Sequence, residues 1–124
     1  MNLVDSSGWV EYFVGGKQAD QFSKPIEQSG QLIVPTVVIF EVFKFLARVA
    51  DENNAWKAVS AMHSGQMIFL DVDISLQAAQ ISLVFKLPMA DSMILATARS
   101  YNAIVWTQDA DFKDIEGVEF IPKI

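Results

Sequence analysis

Asn2-Leu3-Val4-Asp5-Ser6-Ser7-Gly8-Trp9-Val10-Glu11-Tyr12-Phe13-Val14-Gly15-Gly16 changes its hydrophobic period part-way along. Residues 2–5 read as a short β-strand that ends on a carboxylate. Residues 6–14 read as a helix, with Trp9, Tyr12 and Phe13 at i, i+3 and i+4 on one face. Gly15-Gly16 stops that helix, because glycine takes the left-handed backbone that a helix end favours. A strand running straight into a helix opens a βαβ unit, and such units build parallel sheets.

Outward from this stretch the alternation continues. A more polar helix is expected over 18–28, Ser29-Gly30 is a turn, and Leu32-Ile33-Val34 is a second strand. Pro35 stands where a helix can begin, its missing N–H harmless in a first turn. The helix over 36–50 places Val38, Val42, Phe45, Leu46 and Val49 on one face and leaves Phe40 and Phe43 on a second apolar face. That second face suits a partner or a second copy of the chain. Asp51-Glu52-Asn53-Asn54 starts another helix that runs to 60–63, and Ser64-Gly65 turns into a third strand over 67–70. Asp73 can cap a helix carrying Ile74, Ala78, Ile81 and Phe85 at core spacing. Pro88 opens a further helix with Ile94, Leu95, Ala98 and Tyr101 as its apolar stripe. Residues 103–107 and 118–121 are the fourth and fifth strands. The expected fold is α/β: one domain over 1–124, with a mostly parallel central sheet of about five strands and helices on both faces.

Composition narrows the chemistry. The chain has 124 residues, 52% of them hydrophobic, which is too apolar for disorder and suits a single core. Cysteine is absent and His63 is the one histidine, so thiol nucleophiles, thiolate zinc sites and histidine-pair mechanisms are excluded. His63, beside Ser64-Gly65, reads as a helix-end residue. A formal charge of −6 argues against holding nucleic acid by overall charge, but not against a local basic patch. The most apolar stretch, 32–47, is interrupted by Pro35, Glu41 and Lys44, well short of the ~20 apolar residues of a spanning helix. With no targeting segment apparent at its start, the chain is expected to be cytoplasmic.

The acids carry the functional signal. In open α/β sheets, ligands gather beyond the carboxyl ends of the strands. Asp5 sits at the end of the first strand, and Asp109 lies two residues past the end of the fourth. Glu41 interrupts an apolar run, where an unpaired charge would be costly, so it should face a cation or a polar cleft. Asp91 falls in the first turn, or at the cap, of the helix after Pro88. Each has a plainer role available: Asp5 and Asp91 as helix caps, Asp109 as an Asx turn. Asp71, Asp73, Asp114, Glu116 and Glu119 read as solvated or capping acids, with Asp111 between the two groups. Lys44 and Arg48 lie at i+3 and i+7 from Glu41, either as a solvated face or as a path for phosphates.

Taken in order, Val4-Asp5-Ser6-Ser7-Gly8-Trp9, Val34-Pro35-Thr36 leading to Phe40-Glu41-Val42, Ala90-Asp91-Ser92-Met93-Ile94 and Thr107-Gln108-Asp109-Ala110-Asp111-Phe112 resemble the four acidic motifs of the PIN-domain nucleases. Among these the sequence is most similar to the VapC toxins of toxin–antitoxin pairs. The resemblance spans 2–121. It implies a ribonuclease in which Asp5, Glu41, Asp91 and Asp109 converge on Mg²⁺ or Mn²⁺. Asp5 and Asp91 would be the inner ligands, while Glu41 and Asp109 act through water. Ser7 and Thr107 match the hydroxyl positions beside the acids. Hydrolysis by water that the ion activates would leave a 5′-phosphate and a 3′-hydroxyl. RNA substrate, a VapB-like antitoxin that places an arginine in the carboxylate pocket, and a homodimer are implied in the same way. Two other readings use the same acids. A receiver-like phosphoacceptor would want a second acid beside the first strand and a lysine after a late one, but Leu3-Val4-Asp5 has no adjacent acid and Val105-Trp106-Thr107 leads to Asp109 without a lysine. A non-catalytic PIN interaction module would not need all four acids.

Overall fold

The computed structural model describes residues 1–124. Five strands, β1 (Asn2–Val4), β2 (Leu32–Pro35), β3 (Gln66–Ile68), β4 (Ile104–Thr107) and β5 (Val118–Phe120), form one sheet in the order β3-β2-β1-β4-β5. Every neighbouring pair is parallel, and Leu3 sits opposite Ile33 on one side and Val105 on the other. The helices are α1 (Ser6–Val14), α2 (Ala19–Ile26), α3 (Thr36–Val49), α4 (Glu52–Met62), α5 (Val72–Phe85) and α6 (Met89–Ser100).

This order follows from chain direction. From β1 the chain steps outward through β2 to β3, carrying α1 to α4. It then returns across the sheet to β4 with α5 and α6. Right-handed crossovers made in opposite directions put the two helix sets on opposite faces. Burial agrees: Leu3 and Val4, then Ile33 and Val34, are all 0% exposed, although successive strand residues point to opposite faces. One cluster of 27 buried apolar residues fills both layers. The strand order reverses between β1 and β4, which makes the crevice at their carboxyl ends the place where such sheets bind ligands.

α1 is closed at both ends as its sequence predicts. The Asp5 side chain accepts from the Gly8 N–H at its start, and Gly15 at φ 67° returns its N–H to the Glu11 and Tyr12 carbonyls. Gly8 packs so tightly that an added Cβ would stand 2.6 Å from the Phe22 ring and from Val4.

Several expectations are corrected. Pro35 ends β2 and precedes α3 as its cap residue (φ −67°, ψ 142°), outside the first turn. β3 stops at Ile68, leaving Phe69 and Leu70 exposed, because its one neighbour β2 has already ended at Pro35. α5 is capped by Asp71, which accepts from the Ile74 N–H at 2.8 Å, so Asp73 lies inside the first turn. On α3 only Val38, Val42 and Leu46, spaced by four, are buried. Phe45 and Val49 flank that strip and face outward. Phe43 is not part of a free apolar face, since it meets Trp56 of α4 edge-on at 5.0 Å. Phe85 and Tyr101 end their helices exposed, and the Arg99 guanidinium stands 5.4 Å from the Phe85 ring. No single helix is long and apolar enough to cross a membrane.

Candidate active site

The site is assembled where β1 and β4 end. The Asp5 N–H donates to the Trp106 carbonyl at 3.1 Å, holding the two strand ends together. The Asp5 carboxylate, 2% exposed, accepts on Oδ1 from Ser7 Oγ (2.6 Å) and the Gly8 N–H (3.0 Å). On Oδ2 it accepts from Thr107 Oγ1. Thr107 Oγ1 in turn accepts from the Asp109 N–H at 2.9 Å, and Ser7 Oγ accepts from the Gln108 N–H at 3.0 Å. A helix cap and a strand-end turn are thus joined into one network.

Burial pushes the Asp5 carboxyl up from 3.8 to about 6, against the hydrogen bonds from Ser7, Thr107 and Gly8 and with the negative charge of Asp109. Asp91, in the first turn of α6, is not the cap, since Pro88 occupies that position. Its carboxyl rises to about 7, through burial first and then through Asp109, Asp5, Glu41 and Asp111. Every one of these influences pushes in the same direction. Glu41 projects from α3, and burial raises it most. The neighbouring Ser6 offsets part of this rise and Asp109 adds to it. Glu41 Oε1 is buried with no hydrogen-bond partner.

Asp109 caps the 3-10 turn Ala110–Phe112 and accepts from the Asp111 N–H at 2.9 Å, so the Asx-turn role is real. The same turn presents it to the site. Asp91, Asp109 and Asp111 each place a carboxylate oxygen within 4.8 Å of the others. The tightest acidic group therefore includes Asp111, and it does not include Asp5, which the resemblance made an inner ligand. Asp5 and Glu41 lie close enough to perturb Asp91. The Asp109-x-Asp111 spacing on a short turn was the signal available for Asp111.

These groups fit a hard divalent cation. All the donors are oxygens, they repel one another, and one buried oxygen has no partner. A groove of about 530 Å³ opens beside them, lined by Ser6, Ser7, Glu41, Lys44, Arg48 and Gln108 among others. The Lys44 ammonium stands 5.7 Å from the Phe40 ring and the Arg48 guanidinium 5.5 Å from the Phe45 ring. His63 is elsewhere, its Nδ1 paired with the Val59 carbonyl at the end of α4.

The sequence matches the family model of the PIN domain over residues 3–118. No curated protein matches it in sequence. Among solved structures it is similar to a toxin–antitoxin complex from Klebsiella pneumoniae, with 24% identity, a TM-score of 0.80 and 96% of each chain covered. It is also similar to VapC20 from Mycobacterium tuberculosis, described as a sarcin–ricin loop cleaving toxin, with 16% identity, a TM-score of 0.80 and 98% and 97% covered. A third is DNA-bound VapBC from Salmonella typhimurium, with 13% identity, a TM-score of 0.74 and 98% of each chain covered. At these identities the likeness is one of fold.

Proposed function

The chain belongs to the PIN domain family, and from that premise we propose that it is a divalent-metal-dependent endoribonuclease, the toxin of a toxin–antitoxin pair. One observation carries this reading: acids from four separate parts of the chain come together beside the sheet's switch point, with Asp5 and Asp109 held by hydrogen bonds and no cation of the protein paired with any of them. When bound, Mg²⁺ or Mn²⁺ supplies a more acidic water and a positive charge beside the phosphodiester oxygens. Asp91, Asp109 and Asp111 offer the closest set of donors, with Asp5 and Glu41 completing the acidic wall. Ser7 and Thr107 hold the Asp5 carboxylate in one orientation. Lys44 and Arg48, on aromatic rings along the groove, receive backbone phosphates, and the exposed face of Phe40 offers a stacking surface for a base.

The VapBC complexes among the structural neighbours support an antitoxin partner. An arginine from such a partner would neutralise the acids and block access to them. Exposed Leu76, Leu83 and Val84 on α5 support a second copy of the chain as a further partner. A receiver-like reading is disfavoured by the strand order, since such domains follow 2-1-3-4-5 and this sheet runs β3-β2-β1-β4-β5. A non-catalytic module is disfavoured by the complete set of acids.

The test is to sequence RNA 5′ ends after brief expression of the wild type and of Asp91→Ala. New ends confined to the wild type support the proposal. Identical end profiles, with both proteins folded and free of antitoxin, overturn it.

A further inference from the structure

The segment after β5 lies along the groove, and neither the family motifs nor the basic pair on α3 accounts for it. Lys123 lines three adjoining hollows. One is the groove that holds Glu41, Lys44 and Arg48. A second, of about 440 Å³, is bordered by Asp109, and the third, of about 260 Å³, by Lys17. All three share Gln108, and the first two also share Ser7. They therefore form one furrow that passes the carboxylates, with Lys123 at its junction.

That placement is built into the fold. Gln18, 7% exposed, donates from Nε2 to the Pro122 carbonyl at 2.8 Å, tying the segment to the start of α2. Gln18 is itself fixed from two sides. Its N–H donates to Glu11 Oε2 at 2.9 Å, and its Oε1 accepts from Gln21 Nε2 at 3.1 Å. The Ile121 N–H donates to the Thr107 carbonyl at 2.8 Å, beside the hydroxyl that holds Asp5. A buried polar side chain with its hydrogen bonds satisfied rigidifies whatever it holds. Here it holds the residue preceding Lys123, the one cation that lines both the hollow bordered by Asp109 and the groove that holds Glu41.

We propose that Lys123 is a phosphate-binding residue for an RNA backbone in this furrow, opposite Lys44 and Arg48, and that Gln18 is the positioning residue that keeps it there. This rests on the nuclease reading above. It implies that the RNA path crosses the acids rather than ending beside α3, with one phosphate held on each side of the bond to be cut.

The test is fluorescence anisotropy with a labelled RNA hairpin, titrated in Mg²⁺ against protein carrying Asp91→Asn to prevent cleavage. Adding Lys123→Ala should weaken binding by about 3- to 10-fold near 0.1 M salt and lower the slope of log affinity against log salt by about one. Lys123→Arg should restore both. Lys57→Ala on α4, outside the furrow, removes the same charge and should change neither. Gln18→Leu, assayed well below its own melting temperature, should reproduce the loss and add nothing to Lys123→Ala, a coupling that general destabilisation would not produce. If the Asp91→Asn protein binds RNA but Lys123→Ala behaves like Lys57→Ala, the Lys123 assignment is overturned while the nuclease reading stands. If it binds no RNA and the wild type cuts none, the nuclease reading falls and takes this inference with it.

Discussion

Titrating the metal-free protein from about pH 5 to about pH 8 is expected to lower its melting temperature, with Asp5 and Asp91 both contributing to the fall. The Asp5 carboxyl moves from 3.8 to about 6 on folding, mainly because it is buried. A rise of about two units corresponds to about 3 kcal/mol, at about 1.4 kcal/mol per unit. The folded state keeps a proton that the unfolded chain releases. The stabilisation is therefore complete below 3.8 and is lost as pH rises through 6. About half of it, ~1.4 kcal/mol, disappears between about pH 5 and pH 8, or ~5 °C for a domain of this size. Asp91, raised further to about 7, shifts in the same direction and adds to the fall, by less than its shift alone implies because it is half-exposed and water screens it. A divalent ion reverses the trend, because it needs the carboxylates deprotonated and binds more tightly as pH rises. The assay is thermal melting across this range, in chelator and in Mn²⁺, for the wild type and Asp5→Asn. Asparagine keeps an acceptor for Ser7 and Gly8 but does not titrate. A metal-free melting temperature that stays level or climbs with pH would refute the reasoning. So would an Asp5→Asn protein whose melting temperature falls as far as the wild type's.

Glu41→Gln should lower Mn²⁺ affinity by about 10- to 100-fold in calorimetric titration. It should also raise the metal-free melting temperature at about pH 8, since the neutral amide has no buried charge to keep without a partner. Gly8→Ala forces a methyl group to within 2.6 Å of Phe22 and Val4 and is expected to cost about 1–3 kcal/mol, read from the denaturant midpoint. Lys86→Gly removes a side chain from a left-handed backbone (φ 57°) between α5 and α6 and should stabilise by about 1 kcal/mol in the same assay.

Much of the fold was legible because period and punctuation agreed. Val4-Asp5-Ser6 and Val34-Pro35-Thr36 each mark a strand meeting a helix, and Gly15 closes α1 as glycine should. What was hidden depended on neighbours. β3 ends early because β2 does, and Phe45 faces outward because a helix packed through Val38, Val42 and Leu46 buries only a narrow strip. In the site, Asp5, Glu41, Asp91 and Asp109 could be singled out by position along the chain. The inclusion of Asp111 depends on how the 3-10 turn folds back toward α6. Lys123 and Gln18 were invisible, since their roles come from a contact between the segment after β5 and the start of α2.

Plain and functional roles for these acids are not alternatives. An acidic cluster without a cation pushes its members apart, and flexible side chains would relieve that strain by turning to solvent. Asp5 is prevented from doing so by the Gly8 N–H and the Ser7 and Thr107 hydroxyls, and Asp109 is held by the Asp111 N–H. Capping α1 and turning the chain after β4 are therefore the means by which repelling carboxylates stay aimed at one place. Burial is the main reason that the Asp5 and Asp91 carboxyls are raised, repulsion from Asp109 adds to it, and a bound divalent ion would offset both. By the same logic, Thr107→Val should loosen the site without moving the backbone. It removes the one donor to Asp5 Oδ2 while leaving β4 paired to β1 and β5. The expected cost is about 1–3 kcal/mol at pH 8, and less at pH 5, where a protonated Asp5 no longer needs that donor. Melting curves showing the same loss at both pH values would mean that Thr107 acts through its packing and the bond it accepts from the Asp109 N–H, and not through Asp5.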